Sequence, residues 1–278
     1  LRRLVPAGQR ALLLYPAGFD FICAFFACLL ADVVAVPLPV PQADNGTERL
    51  EHVIRDCSPA IILTHSGILT RIQALLPPPL QQTVVATDVQ PDWRHAAVSP
   101  DKADASLALL QYTSGSTGRP KGVCVSHENL HANLQQIEQA FGHSSDSRGV
   151  IWLPHYHDMG LIGGVLQPLF VGFPVTLFSP IAFVQRPVRW LQAIHTYRAT
   201  TSGGPNFAYD LCVHKAASLA EQDLDLSCWT VAFNGAEPVK ATTLDAFVSA
   251  FSPAGFRRSA FLPCYGLAEA TLLVTASE

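Results

Sequence analysis

The residues best placed to do chemistry lie in one string, Tyr112-Thr-Ser-Gly-Ser-Thr-Gly-Arg-Pro-Lys-Gly122. Hydroxyls at Thr113, Ser114, Ser116 and Thr117 are interleaved with Gly115 and Gly118, and Lys121 closes the run. Glycines let the backbone approach an anion, N–H groups and hydroxyls donate to its oxygens, and a lysine offsets its charge. Such a set suits a polyphosphate. The string is not the GxxxxGK[ST] loop, because Pro120 precedes Lys121 and Gly122 follows it. Nor is it the GxSxG nucleophile elbow, since Ser114 stands where the glycine before Ser116 is required. A flexible surface turn accounts for an arbitrary Gly/Ser loop, but not for eleven residues in this order.

Three further groupings follow along the chain. Trp152-Leu-Pro-His-Tyr-His-Asp-Met-Gly-Leu-Ile-Gly-Gly164 sets a polar cluster between a strand and an apolar helix. Alternate histidines on an extended strand face one way, so His155 and His157 invite a metal reading. The metallo-hydrolase pattern would continue with Asp and His where Met159 and Gly160 stand, and a strand-end histidine with ordinary partners is the bland alternative. Ser202-Gly-Gly-Pro-Asn-Phe-Ala-Tyr-Asp-Leu-Cys212 places Phe207 and Leu211 four residues apart, which reads equally as plain core or as the lining of an apolar site. Phe233-Asn-Gly-Ala-Glu-Pro238 is a turn after a strand. Cys264-Tyr-Gly-Leu-Ala-Glu-Ala-Thr271 offers an aromatic face at Tyr265 and a hard oxygen ligand for Mg²⁺ at Glu269.

These groups must be held by alternating strands and helices. Short runs rich in β-branched residues predict strands at 33–36, 60–64, 83–86, 107–112, 123–125, 150–153, 175–178, 231–233 and 260–262. Helical patterns cover 21–31, 48–56, 67–76, 128–141, 188–197, 207–215 and 242–251. The alternation predicts an α/β fold of layered, largely parallel sheets flanked by helices. Prolines 77–79 and the stretch 93–105 read as surface connections, with an internal seam near 91–104.

The 278 residues carry 18 Lys+Arg against 22 Asp+Glu, a net charge of −4 with no basic run, which gives no support to nucleic-acid binding. At 49% hydrophobic and 14% charged, the chain is not disordered. The apolar run 21–31 is bracketed by Asp20 and Asp32 and is too short for the roughly 20 residues of a membrane span. Pro16, Gly18 and Asp20 interrupt any signal-peptide core. Seven scattered cysteines without a CxxC pair fit reduced, mostly buried thiols and a cytoplasmic location. Because the first residue is Leu1, the chain is expected to be a fragment or a processed product.

YTSGSTGRPKG resembles the phosphate-binding motif of the adenylate-forming enzymes, the acyl-CoA synthetases, luciferases and peptide-synthetase adenylation domains. LPHYHDMGLIGG resembles the matching segment of their fatty acyl-AMP ligase branch. Ala268 stands where the wider superfamily often has threonine, a variation which that branch shares and which removes one contact near the α-phosphate. The resemblance runs from about Ala11 to the last residues and implies an incomplete large N-terminal domain spanning 1–278, without the small C-terminal domain and its lysine. It implies ATP and Mg²⁺ as cofactors, a fatty acid as substrate and an acyl carrier protein as acceptor. Thr113, Ser114, Gly115, Ser116, Thr117, Gly118 and Lys121 would then bind phosphates, while Asn234, Gly235, Ala236, Glu237, Tyr265 and Gly266 would bind adenine. His157, Asp158, Gly204, Asn206 and Phe207 would line the acyl site, and Glu269 would carry Mg²⁺. His157, Lys121 and Glu269 would serve catalysis. His155 is not carried over, since relatives have a residue such as proline there. An acyl-CoA synthetase, which would use CoA, and a truncated nucleotide-binding module without full activity are the alternatives.

Overall fold

The computed structural model describes residues 1–41, 47–89, 107–113, 120–216 and 223–277. The chain divides into two compact units, Leu1–Leu130 and His131–Glu278, each built on a six-stranded sheet. The α/β class with layered, largely parallel sheets is as expected. The seam expected at 91–104 lies outside the described residues.

In the first unit the elements run β1 (Arg10–Leu14), α1 (Phe19–Leu30), β2 (Val34–Leu38), α2 (Thr47–Cys57), β3 (Ile61–Thr64), α3 (Leu69–Ala74), α4 (Pro78–Gln81), β4 (Val84–Ala86), β5 (Leu107–Thr113) and β6 (Lys121–Ser126). The sheet order is β4-β3-β1-β2-β5-β6. Leu12, Leu13, Val36 and Ile62 are fully buried, as strands covered on both faces require. Among the described residues of this unit only β5 and β6 pair antiparallel, because the few residues between Thr113 and Lys121 cannot make the long crossover that a parallel partner needs. The single helix expected at 67–76 is instead a 3-10 turn, Ser66–Ile68, followed by α3. His65 caps the 3-10 turn, its Nδ1 accepting the Gly67 amide at 2.9 Å, and the break before α3 falls at Ile68, whose φ of −125° and ψ of 5° leave the helical region. The connection expected at 77–79 contains the one-turn helix α4, where proline fits because first-turn amides need no partner.

The helix α5 (His127–Phe141) leads into the second unit. There follow β7 (Gly149–Ile151), a wide π-type helix (Met159–Leu166), α6 (Gln167–Val171), β8 (Val175–Leu177), α7 (Pro180–Gln185), α8 (Val188–Tyr197), β9 (Thr201–Gly204), α9 (Asn206–His214), β10 (Val231–Asn234), α10 (Ala241–Phe251), β11 (Phe261–Gly266) and β12 (Leu273–Ala276). The order is β12-β11-β10-β9-β7-β8, with β12 alone antiparallel among the described residues. Its core is aromatic: Trp190, Tyr209, Trp229 and Phe247 are wholly buried. Their polar atoms are matched, with Trp190 Nε1 donating to Ser202 Oγ at 2.7 Å and the Tyr209 hydroxyl to the Phe233 carbonyl at 2.8 Å. Burial holds the Tyr209 phenol protonated, far above the usual range.

All seven cysteines are free thiols. The expectation that most are buried is corrected: Cys28, Cys57 and Cys212 are, whereas Cys23 and Cys124 are exposed. Among the described residues no helix is long and apolar enough to cross a membrane.

Candidate active site

The expected site residues fall into two groups, one in each unit. In the first unit the hairpin β5–β6 carries Thr113 opposite Lys121 and Tyr112 opposite Gly122. Lys121 is exposed at the start of an edge strand. The Tyr112 ring lies against Gly122 so closely that an added Cβ would sit 2.9 Å from Cζ, so only glycine allows this packing. The ring's hydroxyl donates to Asp56 Oδ2 at 2.5 Å. Burial, and then that bond, keep the phenol protonated well above its ordinary range. Ser114, Gly115, Ser116, Thr117 and Gly118 lie outside the described residues.

In the second unit β7, β9, β10 and β11 are parallel neighbours, so their carboxyl ends share one edge of the sheet. Every remaining candidate lies at or just beyond those ends, the edge where open α/β sheets hold ligands. After β7, His157 is exposed and Asp158 is buried. The His157 Nδ1 lies 2.5 Å from Asp158 Oδ1, so the carboxylate fixes that nitrogen as the protonated one. Asp158 Oδ1 also accepts the Met159 amide at 2.7 Å and so starts the π-type helix.

After β9, Gly204 packs under Trp152, and an added Cβ would meet Cζ2 at 2.7 Å. Trp152 stacks on Phe183 with centroids 4.0 Å apart and meets the edge of Phe207 at 5.9 Å. Phe207 is 45% exposed, which removes the plain-core reading for this ring. Leu211 packs half-buried against the core instead. Asn206 donates to the Pro238 carbonyl at 2.9 Å and accepts the Lys240 amide at 3.1 Å, which ties down the segment after β10.

That segment begins at Asn234, in register with Gly204 on one side and Pro263 on the other. Asn234 Nδ2 donates to the Gly204 carbonyl at 3.1 Å, while its Oδ1 is buried without a protein partner. A Cβ on Gly235 would meet both the carbonyl oxygen and Sγ of Cys264 at 2.8 Å, so glycine lets two strand ends touch. Ala236 adopts a left-handed φ of 70°, turning Ala236 and Glu237 outward. Tyr265 presents an uncovered ring, 59% exposed. The register shifts between Tyr265 and Gly266, and a Cβ at Gly266 would collide with the Leu272 carbonyl at 1.9 Å. Glu269 projects from the turn Ala268–Ala270, with Ala268 buried beneath it. Among the described residues, no three His, Cys, Asp or Glu side chains cluster to hold a metal.

Sequence reasoning missed Asp56 and Asn133, a second-unit residue whose side-chain amide bonds Leu273 in β12, the strand paired with Tyr265. Neither lies in a motif, and only the folded chain brings them to their partners.

A family described as "AMP-binding enzyme" matches residues 1–278. The chain is 44% identical over 295 residues to the Medium-chain-fatty-acid–[acyl-carrier-protein] ligase JamA of Moorena producens (strain JHB), covering 100% of this chain and 48% of that protein. The crystal structure of a fatty acid AMP ligase from Legionella pneumophila superposes with a TM-score of 0.91 at 42% identity, covering 98% of this chain and 48% of that one. A fatty acyl-adenylate ligase from L. pneumophila, solved in complex with acyl adenylate and pyrophosphate, gives 0.86 at 40% identity, with the same 98% and 48% coverage. The chain therefore spans about half the length of the relatives it matches.

Proposed function

The chain belongs to the AMP-binding enzyme family, and from that premise we propose that the protein activates a fatty acid as its adenylate for transfer to an acyl carrier protein. A carboxylate oxygen of the acid attacks the α-phosphorus of ATP. The bond from that phosphorus to the bridging oxygen breaks, and pyrophosphate leaves with the electron pair. The acyl carbon is then open to a carrier-protein thiol, with AMP as the second leaving group. Two anions must meet, so the site has to supply charge compensation and alignment rather than a covalent nucleophile.

The observation that carries this reading is the shared strand edge in the second unit. It gathers His157, Gly204 with Phe207, the Asn234–Glu237 turn, and Tyr265 with Glu269 from four separate segments. Tyr265, 59% exposed, offers a face for adenine. Phe207 and Trp152 supply apolar lining for an acyl chain, with His157 and Asp158 at its carboxylate end. In the first unit, Lys121 and the hydroxyls from Thr113 to Thr117 are of the chemistry that binds phosphates. Glu269, an exposed carboxylate, fits Mg²⁺, which would keep most of its coordination for water and phosphate oxygens. When bound, that ion neutralises phosphate charge. The reaction belongs in the cytoplasm, where ATP and carrier proteins meet.

The test is to incubate the longest available polypeptide with ATP, Mg²⁺, mixed fatty acids, carrier protein and CoA, and to identify products by mass spectrometry. Acyl-AMP and acyl-carrier protein with little acyl-CoA are expected. Abundant acyl-CoA would assign CoA as the acceptor, and no acyl product would leave a nucleotide-binding module.

A further inference from the structure

Helix α2 lies outside every motif, yet it contacts β5 and Pro120, the residue directly before β6, in the hairpin that carries Lys121. Arg49, His52 and Asp56 are spaced three and four residues apart, which puts them on one helix face. Arg49 Nη2 donates to the Tyr112 carbonyl at 3.3 Å. His52 Nε2 lies 3.1 Å from the Pro120 carbonyl, which only accepts, so Nε2 carries the proton. Asp56 accepts the Tyr112 hydroxyl. Pro120 directly precedes Lys121, and Gly122, directly after it, lies under the Tyr112 ring. The backbone is thus fixed on each side of Lys121. The helix is itself anchored, because Leu50, Val53, Ile54 and Cys57 are buried in the first unit's core.

We infer that Arg49, His52 and Asp56 are positioning residues that aim Lys121 at the phosphates of the nucleotide. This rests on the role given to Lys121 above. A lysine on a flexible four-carbon stem at an exposed edge contributes a well-placed charge only if its backbone is held. The motif supplies the charge, and α2 supplies the frame.

The experiment is a double-mutant cycle in the longest active polypeptide, combining His52→Leu with Lys121→Ala. His52→Leu is expected to raise KM for ATP about tenfold, the size of one lost hydrogen bond in a positioning network. KM for the fatty acid should stay unchanged, and the melting temperature should fall by no more than the few degrees that one hydrogen bond is worth. His52→Gln, which keeps a donor, should restore most of the loss. In the Lys121→Ala background the His52→Leu effect should vanish. A full additional loss in that background, or an equal rise in KM for the acid, would overturn the inference while leaving the Lys121 role intact. If Lys121→Ala alone leaves ATP use unchanged, both readings fall. Should His52→Leu not fold, Tyr112→Phe, which deletes only the hydroxyl facing Asp56, enters the same cycle with the same expected outcomes.

Discussion

The side-chain amide of Asn133 and the backbone of Leu273 exchange two hydrogen bonds across 140 residues of sequence. Nδ2 donates to the Leu273 carbonyl at 2.8 Å and Oδ1 accepts its amide at 3.0 Å. Side chain thus acts as one more strand against β12, and β12 in turn closes the hairpin that presents Tyr265 and Glu269.

Asn133→Ala leaves the donor and the acceptor of a buried residue unmatched at once. A loss of about 2–4 kcal/mol is expected, from 1–3 for each orphaned group less some relaxation. Urea unfolding of wild type and variant measures it. A loss below about 0.5 kcal/mol would show that the pair does not hold the strand.

Lys121→Ala and Glu269→Ala, each in the longest active polypeptide, are expected to slow adenylate formation about a hundredfold or more, as loss of a charge-stabilising group does. Pyrophosphate release measures this, and unchanged rates would refute both roles.

Phe207 and Gly204 separate packing from specificity. The Phe207 ring is 45% exposed, so Phe207→Ala should cost well under the roughly 3–5 kcal/mol of a core phenylalanine while changing which acid is activated. Gly204→Ala drives a methyl into the Trp152 ring, with an expected cost of about 1–3 kcal/mol and a shift of preference to another acid. Thermal melts and competition between acids of different length measure the two effects. An unchanged acid profile in both variants would remove this end of β9 from the acyl site.

His143 gives a pH signature of folding. Its Nε2 meets Thr201 Oγ1 at 3.1 Å, its Nδ1 is buried without a partner, and the rings of Phe141 and Phe173 pack against it. Burial pushes its pKa down from 6.5 to about 4. Between those values the unfolded chain binds a proton that the folded chain refuses, so stability falls as pH drops from 6.5 toward 4. The expected loss is on the order of 3 kcal/mol across that window. His143→Phe should flatten the slope there, read by urea unfolding at several pH values. An equal slope in the variant would assign the acid sensitivity to other groups.

Most of the elements, and the motifs on which the proposed chemistry rests, were legible in the sequence. The interleaved hydroxyls, glycines and Lys121 speak for a phosphate because that chemistry is local, and the alternating apolar runs speak for parallel sheets because burial on both faces demands them. Tertiary packing decided the rest. The two glycines of β9, Thr-Ser-Gly-Gly, are poor strand formers, yet they lie in a central strand, where Phe233 and Trp152 approach too closely for any side chain at Gly203 and Gly204. The apolar segment β1 reads as a strand only once β2 and β3 flank it. Asp56 and Asn133 sit on helices as ordinary polar residues, and nothing near them in the chain hints at Tyr112 or Leu273. Motifs are readable because a phosphate or a ring constrains neighbouring residues together. A positioning contact constrains residues 56 or 140 apart, and only the closed fold brings such pairs within hydrogen-bonding distance.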